Sequence, residues 1–263
     1  MKRYLSLYKT FLIQYLKILM EYRTDFFIGL IGFGIIQLSG IAFLYLIFTK
    51  IPNLHGWSFE QIVFIYGFAQ IPRGLDHLIT DNLWMLSNSI IVKGQFDRYL
   101  LRPINPLFHL ISEVIQLDAF GELLVGIMLV IWSVAKLKIT ISFLQVLFFI
   151  LTIISGTIIY TSIKLSFASL AFWIKNSHQI LWMNYSLSDF SKYPLNIYSK
   201  PVRIITTYII PFGFTAFIPA SYFLDKGNLY RSVLSTFVVA IISFIVSYTI
   251  WLNGIKVYES SGN

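Results

Sequence analysis

Four ionisable side chains, Arg73, Asp76, Asp118 and Glu122, stand in stretches that are otherwise apolar. In hydrocarbon such a group costs about 2.5–3.5 kcal/mol on insertion scales, so each is expected to face a partner or a water-filled cavity. Asp76 follows Arg73 by three residues, and Glu122 follows Asp118 by four, spacings that put each pair on one face of a helix. Two arrangements fit. An Arg–carboxylate lock between neighbouring spans is the expected one, because a paired charge satisfies both partners without a substrate. A polar lining for a translocation route is the alternative. Little else in the chain can do chemistry. It has no G-x-x-x-x-G-K-[ST] run to cradle a nucleotide and no H-E-x-x-H, and His55, His77, His109 and His178 are isolated from one another, so no metal site is expected. The absence of cysteine excludes disulfides, thiolate metal sites and thiol nucleophiles. The acceptor pattern Asn184-Tyr185-Ser186 falls in an expected helix and is read as chance.

The elements that must position these groups follow from composition. Of 263 residues, 57% are hydrophobic and 12% charged, against about 25% charged in a soluble domain. Such a chain belongs in a bilayer, whose core of about 30 Å needs about 20 apolar residues per helix. Residues 26–49, 139–163, 204–224 and 232–255 contain no Asp, Glu, Lys or Arg. Two further spans, at about 59–81 and within 107–134, are expected despite the charges they carry. The fourth span, about 141–173, includes Lys164 near its inner end, where a lysine is expected to reach the headgroups. Ser162, Ser166 and Ser169 offer a small-residue face for close helix approach. The fifth crossing is open between 176–198 and 204–224. Pro211 and Pro219 each remove a backbone donor from the second window, which then reads as two short helices dipping into the outer leaflet and returning.

Residues 2–23 alternate a polar face with an aromatic-aliphatic one that includes Tyr4, Tyr8 and Phe11. That period suits a helix lying in the membrane plane, with a cytoplasmic extension of the first span as the alternative. No cleavable signal is expected. Five basic residues precede the first span and one, Lys50, follows it, so the N-terminus is expected inside, and six crossings return the C-terminus to the same side. The net charge of +8 sits at the ends of apolar runs and forms no stripe, which argues against nucleic acid. With no repeat and no long linker, the chain reads as a single transmembrane domain over 1–263. Between the second and third spans, residues 82–106 are too long and too apolar for a bare turn. They read as a short amphipathic helix that either offers an apolar patch to another protein or lies against its own membrane domain.

The run VKGQFDRYLLRPINPLFHLISE, residues 92–113, resembles the segment joining the second and third spans in membrane subunits of type-2 ATP-binding-cassette (ABC) transporters. KYPLNIYSKPVRIITTYIIPFGFTAFIPASYFL, residues 192–224, is similar to the same family's stretch after the fifth span. The resemblance implies an all-α integral membrane protein with six spans, an interfacial helix over 1–25, a coupling helix within 82–106 and an outer re-entrant helical pair over 200–225. It further implies Gly94, Phe96, Asp97, Leu100, Leu101, Arg102 and Pro103 as the contact with an ATPase subunit dimer, and an outer gate at Pro211 and Pro219. The chain would pair with a second permease, identical or related, in a bacterial cell membrane, most like an exporting branch. It would bind no cofactor itself, with ATP and Mg used by the partner. A secondary transporter using the four charged residues as an ion relay, and an intramembrane lipid-modifying enzyme, are the rival readings. Inverted repeats would mark the first and a consistent acid-base or metal cluster the second, and the sequence displays neither.

Overall fold

The computed structural model describes residues 2–21, 23–116 and 119–260, and these residues form helices and turns with no strand. The amphipathic N-terminal pattern becomes α1, Lys2–Glu21, followed by α2, Arg23–Phe48. Tyr4 packs edge-on against Phe108 and Phe11 lies beside His109, so α1 leans on the segment that follows the 82–106 connection. Most of α2 is exposed and apolar, as a lipid-facing helix must be. Its buried polar side chain, Gln37, accepts hydrogen bonds from Tyr66 and from Gln70 Nε2 (2.7 Å), fastening it to α3.

The centre of the molecule is α3, Phe59–Thr80. Ser58 and Gln61 close a reciprocal capping box at its start, satisfying backbone donors that would otherwise be orphaned. It packs against α7, Ala119–Leu137, at a crossing built on two glycines. A Cβ on Gly126 would lie 2.9 Å from the Gly67 carbonyl oxygen, and one on Gly67 would lie 3.0 Å from that of Gly126. Reciprocal small residues of this kind let helix backbones approach closely within a membrane.

After α3 the chain turns through α4, Leu83–Met85, and a π-helical turn, Leu86–Ile90. Gly94 takes φ +64, a left-handed conformation that glycine adopts without steric cost. There follow α5, Asp97–Leu100, and α6, Pro106–Ser112, the latter capped by Asn105. The long helices α7, Ala119–Leu137, and α8, Phe143–Ser169, come next, then α9, Ala171–Ile174, and α10, His178–Ser186. A 3-10 turn, Leu187–Lys192, leads through Leu195–Ile197 to α11, Lys200–Ile204. A π turn, Ile205–Ile209, and a 3-10 turn, Phe212–Thr215, precede α12, Phe217–Phe223. The chain then enters the π turn Tyr230–Leu234 and α13, Ser235–Val257.

Among the described residues, four helical stretches are long and apolar enough to cross a bilayer: Phe27–Phe48, Ala119–Leu137, Phe143–Ile174 and Tyr230–Val257. A fifth exists if Lys200–Ile209 and Phe212–Phe223, bent by 72° at their break, count as one. The expected six are therefore not all marked by length and apolarity. Helix α3 has the length but carries Glu60, Arg73, Asp76 and His77, and the 176–198 window breaks into α10 and 3-10 turns. The expected third span also divides, because α6 ends at Ser112 and the crossing helix begins at Ala119. Of the small-residue face on α8, Ser162 and Ser169 are buried, and Ser166 and Ser169 bond carbonyls of their own helix.

Candidate functional site

Charged side chains from four elements meet at the end of the helical bundle that carries the 82–106 connection. Arg73, Asp76 and His77 stand on the last two turns of α3, Glu122 on the first turn of α7 and Lys164 toward the end of α8. Asp189 and Lys192 come from the 3-10 turn after α10.

Asp76 and Lys164 are each 0% exposed, and Lys164 Nζ lies 2.7 Å from Asp76 Oδ2. Thr80 Oγ1 (2.6 Å) and Thr161 Oγ1 (2.9 Å) donate to Asp76 Oδ1, and the Tyr185 hydroxyl lies 3.1 Å from Oδ2. This carboxylate has every acceptor site engaged, the condition under which a buried ion pair is tolerated. The expectation that Lys164 extends to the headgroups is thereby corrected. A carboxylate one helix away holds its ammonium inside, and Asp81 adds a second contact at 3.4 Å. Asp76 thus pairs with α8's lysine and not with Arg73 on its own helix.

Arg73 binds elsewhere. Its Nη1 donates to Asp189 Oδ1 at 2.9 Å, and its Nε lies 3.9 Å from Glu122 Oε1, an ion pair too long for a hydrogen bond. Lys192 Nζ shares the same Asp189 oxygen at 2.7 Å. His77 joins the two halves, with Nδ1 3.1 Å from Glu122 Oε2 and Nε2 2.8 Å from the Tyr185 hydroxyl. The expected lock between α3 and α7 thus becomes a network reaching α8 and the 187–192 turn. Asp118 lies outside the described residues. Sequence reasoning missed His77, Tyr185, Asp189 and Lys192 as members. The Asp189–Lys192 spacing of three was the legible signal, hidden in a window of low apolarity.

Beside the network opens a cavity of about 580 Å³, lined by Arg73, Glu122 and Asp189 and by the rings of Trp84, Trp182 and Tyr185. Its size is that of a ligand pocket.

The 94–103 segment has the opposite construction. Phe96 is buried among Phe172, Trp251 and Tyr258, with ring centroids 5.0–5.7 Å away. Tyr99 is also buried and donates a hydrogen bond to Glu113, while Arg98 covers its ring at 4.8 Å and bonds Glu113 at 2.9 Å. Burial, and then the Glu113 carboxylate, push the Tyr99 phenol up to about 12, so it stays a donor at any working pH. Asp97 accepts from Ser260, which ties the segment to the stretch after α13. Arg102 reaches His109 Nε2 at 3.0 Å. Leu100, Leu101, Arg102 and Pro103 remain exposed, Leu101 at 84%. Phe96 and Tyr99 therefore anchor the segment from inside, whereas the residues after them are free at its tip. Pro219 is buried, and Pro211 stands at the 72° break.

Apolar helices long enough to cross a bilayer, around a charged interior, mark a multi-pass membrane protein. A family model described as ABC-2 family transporter protein matches residues 35–262. The chain belongs to that family and is a permease of an ABC transporter, a transport subunit and not itself an enzyme. No curated protein and no solved structure gives a match.

Proposed function

We propose that this permease pairs with a second permease, identical or related, above two ATPase subunits in a bacterial cell membrane, and exports a solute. Both termini and the 82–106 connection face the cytoplasm. ATP and Mg are bound and used by the ATPases. The tip formed by Leu100, Leu101, Arg102 and Pro103 seats on an ATPase, with Gly94 allowing the turn into it and Phe96 and Asp97 holding its base. ATP-driven movement of that tip passes through Phe96 to Trp251 on α13 and Phe172 on α9. The helices carrying the charged network then shift, and the bent pair around Pro211 and Pro219 opens or closes the outer end.

One observation carries this reading. An 84%-exposed leucine stands on a base of fully buried aromatic rings, a stiff apolar projection of the sort that seats in a partner's groove. The substitution Leu101→Asp tests it. The altered permease is expected to insert and fold normally yet to lose its ATPase on co-purification from native membranes. Undiminished co-purification, or ATP hydrolysis by the purified chain alone, contradicts the reading.

A further inference from the structure

The charged network and the cavity beside it are not equivalent in what they expose. Asp76 and Lys164 are sealed, but Asp189 keeps 57% of its side chain exposed although Arg73 and Lys192 both bond it, because both cations bond the same oxygen, Oδ1. Asp81 meets Lys164 only at 3.4 Å and is also part-exposed at the cavity wall. Arg73 and Lys192 expose less of their side chains, 18% and 12%, than Asp81 and Asp189, at 26% and 57%. Among the charged side chains that line the cavity, Arg73 is a cation and Asp81, Glu122 and Asp189 are carboxylates, so carboxylates predominate on its wall.

The rings that complete the wall suit the same sign. Trp182 is 61% exposed. Trp84 stands edge-on to Tyr185, whose ring already has Arg73 and Lys164 at 5.5 and 5.4 Å. The negative face of an aromatic ring attracts cations, and most strongly that of tryptophan. We propose that the cavity of about 580 Å³ between α3, α7 and α10 binds an amphipathic organic cation. Its charge lies toward Asp81 and Asp189, and its apolar body lies against Trp84, Trp182 and Tyr185. An anionic solute meets the opposite arrangement, since the guanidinium of Arg73 is already engaged by Asp189 and Glu122. The cavity opens at the end of the bundle that carries the 82–106 connection. On the permease reading above, this binding is the loading step of export, but the binding itself does not depend on that reading.

The test uses two rigid ions of the same shape and opposite charge, tetraphenylphosphonium and tetraphenylborate, on the full-length permease in lipid nanodiscs, with empty nanodiscs subtracted. Saturable tetraphenylphosphonium binding is expected, with no displacement by tetraphenylborate. Asp189→Asn should weaken it about tenfold, as removal of a close partly screened charge does. Trp182→Ala, at an exposed position where folding is not at stake, should weaken it about three- to tenfold. Equal binding of the two ions, no saturable cation binding, or unchanged affinity in Trp182→Ala overturns the proposal. Co-purification of the ATPase, measured on the same variants, is expected to be unchanged. Its loss only in Leu101→Asp keeps a failure of the cation site distinct from a failure of the permease assignment.

Discussion

The charged network and the 94–103 tip break the rule of polar outside and apolar inside in opposite directions. The network puts charged groups inside the helical bundle, Asp76 and Lys164 with no exposure at all, and the tip puts leucines where nothing of this chain covers them. Only the first is resolved within the chain, for Asp76 finds an ammonium and two threonine hydroxyls inside 3 Å. Leu101 is 84% exposed, and on the function proposed above its cover lies on the ATPase. A buried exception that is fully satisfied reports on assembly of the bundle, whereas an exposed exception on a rigid base reports on a partner.

The contrast is broken most severely at Lys164. Lys164→Met leaves Asp76 buried and uncompensated and should cost about 3–5 kcal/mol, read as a lowered unfolding midpoint in detergent; adding Asp76→Leu should restore most of it. If the single change is tolerated, the pair is not the lock described. Phe96→Ala comes next, at about 3 kcal/mol, because it empties the ring cluster of Phe172, Trp251 and Tyr258, and it should also lower retention of the ATPase. Gly126→Ala pushes a methyl against the Gly67 carbonyl and should cost about 1–3 kcal/mol. Normal stability there would mean that α3 and α7 can separate freely. The smallest stability effect belongs to Leu101→Ala, within about 0.5 kcal/mol as for an ordinary surface site, although coupling should suffer. Arg73→Gln sharpens the comparison from the other side. Full transport with poor assembly marks a structural role, and normal assembly with altered transport marks the cavity.

What the sequence could and could not convey follows the same division. The apolar runs of α2, α8 and α13 were readable because lipid-facing helices must be apolar along most of their surface, and hydropathy measures that directly. Helix α3 is buried by its neighbours, so it can carry Arg73, Asp76 and His77, and apolarity does not mark it as a span. The cost of intramembrane charge singled out Arg73 and Asp76 as residues needing partners, and their oppositely charged neighbours are Asp189 and Lys164. Which partners they take depended on how α8 and the 187–192 turn pack beside α3, and no local spacing encodes that. Lys164 shows the limit most clearly. A lysine near a helix end ordinarily reaches for water, and only the arrival of Asp76 from another helix reverses that preference. In the tip, the sequence displayed leucines and a proline after a glycine, but not that Phe96 and Tyr99 turn inward while Leu100 and Leu101 turn out.

The central claim is that the exposed tip seats on an ATPase, and the chain's lack of cysteine makes a direct measurement possible. A single Leu101→Cys carrying a short photo-crosslinker in intact cells should capture an ATP-binding subunit, identified by mass, with a yield that changes when ATP is depleted. A Cys placed at lipid-facing Ile35 serves as the background. Capture from position 101 that is no greater than from position 35, or that yields no ATP-binding protein, would contradict the account.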